Sequence, residues 1–70
     1  MEIIIHGMYT CERCDALEII FDILNIKYTL IVDNLPKFSG EYPHIFIDGN
    51  KLSYKNVLQK IRNGDIKWEQ

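Results

Sequence analysis

Two cysteines separated by two residues carry the strongest chemical signal in this 70-residue chain. They lie in the segment Cys11-Glu12-Arg13-Cys14, and the chain has no other cysteine. A disulfide that closes so short a segment is a poor staple for a whole domain, because the stabilisation grows with the length of the closed loop. The pair therefore indicates redox chemistry or metal binding, in a reducing compartment that we expect to be the cytoplasm.

Composition and charge restrict the class of protein. The 70 residues allow a single domain, residues 1–70, because a chain of this size buries only about 60% of its unfolded surface. The hydrophobic content of 47% excludes a disordered segment. Apolar runs such as Ile3 to Ile5 are far shorter than the roughly 20 residues that a membrane span needs, and no secretory signal is visible. A net charge of −2 argues against a dedicated nucleic-acid-binding protein.

The residues around the cysteine pair predict a strand, a helix and a second strand. Residues 2–6 are β-branched and end at Gly7, which indicates a strand buried on both faces. From Cys11 to about residue 25 apolar residues recur at helical spacing, with Thr10 as the predicted N-cap. The predicted inward stripe comprises Cys14, Leu17, Phe21 and Leu24, widened by Ala16, Ile20 and Ile23. Residues 27–32 predict the second strand, parallel to the first with a right-handed crossover.

The second half of the chain predicts a hairpin and another helix. Residues 44–48 form the third predicted strand, and the turn at residues 48–50 leads into a short return strand at 51–53. Ser53 is a predicted N-cap, and Gly64 can end the helix that follows. We expect Trp68 to pack over the sheet or the last helix. The predicted order is β-α-β-loop-β-β-α, an α/β fold in which two helices cover a four-stranded mixed sheet.

The predicted helix would give the two cysteines different properties. Cys11 lies at its start, where unpaired backbone N–H groups favour a thiolate. Cys14 lies one turn later on the apolar stripe, where burial favours the neutral thiol. Cys11 is therefore the predicted catalytic nucleophile and Cys14 the predicted resolving thiol. A Cys-x-x-Cys pair beside a βαβ pattern is typical of thioredoxin-like redox motifs.

The chain resembles the glutaredoxin family of the thioredoxin superfamily over nearly all of its length. The resemblance rests on the strand that ends at His6-Gly7, on the cysteine pair, and on residues 42–49, which are similar to the family's T-V-P-x-(I/V)-F-(I/V) stretch. It implies a thioredoxin-like fold in which Pro43 is cis and the backbone of Tyr42 pairs with the bound thiol partner. The chain looks most like minimal phage-encoded glutaredoxins and the small redoxins that serve ribonucleotide reductase.

This resemblance implies the partners and the binding residues. It implies a disulfide-containing protein such as ribonucleotide reductase as substrate, and glutathione or thioredoxin reductase as the source of electrons. The implied substrate-binding residues are Tyr9, Thr10, Arg13, Tyr42, Pro43, Ser53 and Asn56. We expect a monomer that binds neither nucleic acid nor membrane.

Three features depart from the family pattern. The family's C-P-Y-C is here Cys11-Glu12-Arg13-Cys14. The short loop before Pro43 predicts that the family's middle helix is missing or reduced to one turn. Residues 52–56 replace the G-G-x-x-D signature that holds the γ-glutamyl carboxylate of glutathione. The sequence therefore does not decide between glutathione and thioredoxin reductase as the source of electrons.

Two metal-binding alternatives also remain open from the sequence. A structural zinc module without redox activity could use Cys11, Cys14, His6 and His44, although zinc fingers depend on metal because their cores are poor, and this chain is rich in apolar residues. An iron–sulfur carrier is the other alternative, which the second cysteine disfavours. We expect no metal.

Overall fold

The computed structural model describes residues 1–35 and 37–66. Its elements are β1 (Ile3–Gly7), α1 (Glu12–Ile23), β2 (Thr29–Val32), β3 (His44–Ile47), β4 (Asn50–Leu52) and α2 (Tyr54–Arg62). This order is the one that the sequence predicts. The prediction for Trp68 lies outside the described residues. Neither α1 nor α2 is long and apolar enough to cross a membrane.

The four strands form one mixed sheet in the order β2-β1-β3-β4. β1 and β2 are parallel, with Ile5 opposite Leu30, as the crossover through α1 requires. β3 is antiparallel to both β1 and β4. The predicted α/β class and mixed sheet are therefore confirmed, and the arrangement is compatible with a thioredoxin-like fold.

The core lies between one face of the sheet and the two helices. Five of its side chains are completely buried, namely Ile5, Leu17, Phe21, Ile45 and Val57. Burial alternates along β1, because successive side chains of a strand point to opposite faces. The opposite face of β1, which carries Ile4 and His6, is only half-buried, so the prediction of a strand buried on both faces holds for one face.

The first helix begins one residue later than predicted. Its N-cap is Cys11, which has an extended backbone (φ −99°, ψ 104°) and accepts the N–H of Cys14 through its sulfur. The prediction of Thr10 as the cap is wrong, because Thr10 has a positive φ of 62° instead of the extended conformation of a capping residue. At the other end, Ile23 and Leu24 are 73% and 41% exposed, so the inward stripe ends before them.

The second helix follows its prediction. The hydroxyl of Ser53 accepts the backbone N–H of Asn56 at 3.1 Å, which makes Ser53 the N-cap. Gly64 lies just beyond the helix with a φ of 80°, a conformation that favours glycine.

A loop that carries Phe38 covers the sheet face opposite the helices. Among the described residues between β2 and β3 there is no helix, which agrees with the predicted loss of the middle helix. The Phe38 ring lies 4.9 Å from the His6 ring, 5.0 Å from His44 and 5.7 Å from Phe46, measured between centroids. The Phe38 ring thus shields from solvent the part of this face that β1 and β3 form.

Candidate active site

The two cysteines form a disulfide at the start of α1. The Sγ atoms of Cys11 and Cys14 are 2.16 Å apart, and their Cα atoms are 5.2 Å apart. Cys14 is 2% exposed, whereas Cys11 is half-buried. The sulfur of Cys11 is therefore the more accessible of the two to an incoming partner.

The backbone of the first helical turn directs an N–H group at the Cys11 sulfur. The amide N of Cys14 lies 3.1 Å from Cys11 Sγ, and the carbonyl of Cys11 accepts the N–H of Asp15 at 3.1 Å. Because the first N–H groups of a helix lack partners within the helix, they stabilise negative charge on an N-cap side chain. In the reduced protein this arrangement favours a thiolate at Cys11.

The sulfur of Cys14 lies against the end of β1. A Cβ placed on Gly7 would be 3.5 Å from both the Cβ and the Sγ of Cys14, and also 3.5 Å from Leu30. Gly7 itself is buried. The absence of a side chain at residue 7 thus allows the strand and the helix to approach each other closely at the second cysteine.

The peptide bond between Tyr42 and Pro43 is cis, as the family resemblance implies. Pro43 is buried and Tyr42 is half-buried. Tyr42 and Cys11 line the same open cavity of about 530 Å³. The structure therefore places the residue before the cis proline on the groove that leads to the disulfide.

Most of the predicted substrate-binding residues lie around this groove. The cavity at Cys11 is also lined by Tyr9, Thr10 and Arg13. A neighbouring cavity of about 750 Å³ is lined by Arg13, Tyr42, Pro43 and Ser53, among others. Asn56 lines neither cavity, and its observed contact is the capping hydrogen bond to Ser53.

Arg13 lies where the two cavities meet. Its Nη1 donates a hydrogen bond to Glu41 Oε2 at 2.5 Å, and its guanidinium lies 5.7 Å from the centre of the Tyr54 ring. Lys51 and Lys55 line the larger cavity. Neither Glu41, which is two residues before Pro43, nor Lys55 was predicted from the sequence as part of the site. This end of the groove has an excess of positive charge.

A buried carboxylate, that of Asp33, lies behind Tyr42 and was not predicted from the sequence. Asp33 is 2% exposed and accepts a hydrogen bond from the Tyr42 hydroxyl at 2.8 Å. Its other oxygen lies 3.3 Å from Nδ1 of His6. Burial by itself would raise the pKa of Asp33, but the hydrogen bonds from Tyr42 and His6, with the positive charge of Lys37, lower it below its usual value.

The four candidate zinc ligands do not form a metal site. His6 contacts Asp33, and the two cysteines bond to each other. His44 is 5% exposed, and its Nε2 has no hydrogen-bond partner. In residues 1–35 and 37–66, no group of three or more His, Cys, Asp or Glu side chains is arranged to hold a metal ion. This geometry gives the zinc alternative no support.

Comparisons with known proteins give no family model, no curated protein and no solved structure that matches this chain. The chain is a small α/β protein whose Cys11–Cys14 pair is at disulfide distance, an arrangement that is compatible with redox function.

Proposed function

We propose that this protein is a glutaredoxin-like thiol–disulfide oxidoreductase. The observation that carries the proposal is the hydrogen bond from the Cys14 amide to the Cys11 sulfur at the start of α1, with the second sulfur buried directly behind it. In the reduced pair, this arrangement would leave one sulfur accessible and favoured as a thiolate, and the other protected from solvent. A two-step exchange needs this difference between its two thiols.

The reaction begins with the reduced pair. The Cys11 thiolate attacks one sulfur of the substrate disulfide, a mixed disulfide forms, and the other substrate sulfur leaves as a thiolate that takes up a proton. Cys14 loses its proton and attacks the Cys11 sulfur, which releases the second substrate thiol. The Cys11–Cys14 disulfide of the present structure is the product, and two electrons have passed to the substrate.

The groove supplies the binding surface for this exchange. Tyr42 lines the cavity at Cys11, and Pro43, which follows it through the cis peptide bond, lines the neighbouring cavity. We call these two residues the ledge, and the backbone of Tyr42 is the group that we expect to pair with the partner chain. The substrates in the proposal are disulfide-containing proteins such as ribonucleotide reductase, in the cytoplasm. Regeneration uses glutathione or thioredoxin reductase, and the positive charge of Lys51 and Lys55 suits the carboxylates of glutathione.

A coupled assay tests the proposal and assigns the reductant. The protein is supplied with a disulfide substrate and NADPH, once with glutathione and its reductase and once with thioredoxin reductase. NADPH consumption in one arm identifies the regenerating system, and its absence in both arms contradicts the proposal. The Cys11→Ser variant should be inactive, and Cys14→Ser should accumulate a mixed disulfide at Cys11 that mass spectrometry detects.

A further inference from the structure

The carboxylate of Asp33 has no part in the thiol exchange, yet it connects three parts of the site. Its side chain is completely buried at the end of β2. Its backbone N–H donates to the carbonyl of Gly7 at 2.8 Å, and Gly7 packs against Cys14. Its two oxygens contact Tyr42 and His6. Asp33 therefore links the ledge to the strand end against which the second cysteine packs.

The side chain of Tyr42 is held by hydrogen bonds and a ring contact. Its hydroxyl donates to Asp33 at 2.8 Å and accepts the backbone N–H of Lys37 at 3.0 Å. Its ring meets the His44 ring edge-on, with the centroids 4.5 Å apart and an interplanar angle of 86°. Hydrogen bonds arranged in series polarise and strengthen one another. These contacts hold the phenol of Tyr42 in place against Asp33.

The buried carboxylate of Asp33 depends on the donors that surround it. A buried carboxylate must be satisfied by donors, because leaving it unpaired carries a large desolvation penalty. Tyr42 provides the shorter of its two side-chain contacts, 2.8 Å against 3.3 Å for His6. Loss of either member of the Asp33–Tyr42 bond would let the phenol move and the ledge change its position.

We propose that Asp33 is a positioning residue that fixes the partner-binding ledge of Tyr42 and Pro43 through the Tyr42 hydroxyl. The proposal rests on the proposed oxidoreductase function. It differs from a role in thiol ionisation, because the contacts of Asp33 are to the ledge and to β1 and not to either sulfur. It assigns the effect of Asp33 to binding of the disulfide partner.

The test uses Asp33→Asn and Tyr42→Phe in the full chain. KM and kcat are measured with a disulfide-linked peptide, and the alkylation rate of Cys11 by iodoacetamide is measured on the reduced protein. We expect Tyr42→Phe to raise KM at least about tenfold, the effect of losing a hydrogen bond to a charged group, and Asp33→Asn to raise it less, because asparagine removes the charge but keeps an oxygen that can accept the Tyr42 hydroxyl. We expect kcat and the alkylation rate to change by less than about twofold. The double variant should raise KM no more than Tyr42→Phe alone, because the loss of the hydroxyl already breaks the bond that Asp33→Asn weakens.

Tyr28→Phe is the matched control. The Tyr28 hydroxyl also donates to an aspartate, Asp22, at 3.1 Å, but this pair lies outside both cavities of the site. We expect its KM to stay at the wild-type value.

The possible outcomes separate this inference from the proposed function. An active wild type with an unchanged KM in Tyr42→Phe overturns the inference and leaves the oxidoreductase intact. A slower alkylation of Cys11 in Asp33→Asn with an unchanged KM also overturns it, because Asp33 would then act on the thiol. A wild type that is inactive with both reductants overturns the proposed function, and the inference with it. If Asp33→Asn does not fold, Tyr42→Phe alone decides.

Discussion

Arg13 and Glu41 form an ion pair, with 2.5 Å between Nη1 and Oε2, that joins the first turn of α1 to the loop before the cis proline. Both side chains line both cavities of the groove. The pair is exposed, with 56% and 81% of the two side chains accessible, so solvent and salt screen it. The guanidinium of Arg13 is therefore accessible to an anion in the groove as well as to Glu41.

Replacement of Glu41 by Gln should strengthen the binding of anionic disulfides. An exposed ion pair contributes about 0.2–1 kcal/mol, so releasing Arg13 should lower KM for oxidised glutathione about twofold to fivefold at low salt. The effect should disappear at high ionic strength. Glu2→Gln is the control: it makes the same change in net charge, but Glu2 precedes β1 at the end of the strand that is remote from the cysteines. It should leave KM unchanged. An equal decrease in both variants would show that net charge alone is responsible.

Thr10→Gly should stabilise the protein. Thr10 is a β-branched residue with φ of 62°, a left-handed conformation that costs about 1–2 kcal/mol outside glycine. Part of the gain is offset by the greater freedom of glycine in the unfolded chain, so we expect a net increase of about 0.5–1 kcal/mol in the free energy of unfolding, measured by urea denaturation. Thr10→Ala also loses the hydroxyl bond to the Tyr9 carbonyl but keeps a Cβ. If Thr10→Ala is as stable as Thr10→Gly, the positive φ of residue 10 is not the cause of the stabilisation.

The stability of the protein should fall on mild acidification because of His44. Burial, followed by the positive charge of Lys51, lowers the pKa of His44 below the usual 6.5. Below pH 6.5 the unfolded chain then binds a proton that the folded protein does not, so the free energy of unfolding decreases as the pH falls from about 7 through the folded pKa. The slope for one proton is at most about 1.4 kcal/mol per pH unit.

His44→Phe keeps a ring beside Phe38 and Tyr42 and should flatten this slope in urea denaturations between pH 7 and pH 5. Asp33 affects stability in a different pH range. Because its pKa is lowered in the folded protein, the Asp33 carboxylate stabilises the fold above the usual pKa of 3.8, and this stabilisation is lost as the pH falls through the lowered pKa. A slope that persists unchanged in His44→Phe would assign the acid sensitivity to other groups.

Phe38→Ala should destabilise the fold although Phe38 lies in a loop. The ring packs against His6, His44 and Phe46, and Lys51 Nζ lies 5.2 Å from its centre. Truncation of a fully buried Phe costs about 3–5 kcal/mol, and we expect about 2 kcal/mol for this half-buried ring, measured by urea denaturation. Leu35→Ala, at a residue of the same loop that is 78% exposed, should change stability by less than about 0.5 kcal/mol. Similar losses in both variants would argue against a specific role for Phe38.

Local patterns were sufficient to predict the order of the elements and the position of the cysteine pair. Hydrophobic spacing identified α1, and the side chain of Ser53 identified the start of α2. The N-cap of α1 was misplaced by one residue, because a positive φ at Thr10 cannot be read from a threonine in a sequence. The exposed Ile23 followed the helical period and yet lies outside the core, because the periodicity does not show where packing stops.

The contacts behind the groove could not be predicted, because they join residues far apart in the chain. His6 and Asp33 are 27 positions apart, and Arg13 and Glu41 are 28 apart. In the sequence Asp33 is typical of a strand end and Glu41 of a solvated loop. Their partners follow only from the register of β2 on β1 and from the course of the loop that carries Phe38.

β2 is an edge strand of the sheet, and its exposed edge affects the solubility of the protein at high concentration. All four of its residues, Thr29–Val32, are exposed, and none of them is charged or proline. Proteins commonly protect an edge strand with lysine or a bulge, because an unprotected edge can pair with strands of other molecules. Concentrated stocks should therefore become turbid on storage, and a lysine introduced in place of Ile31 should keep them clear for light scattering and spectroscopy.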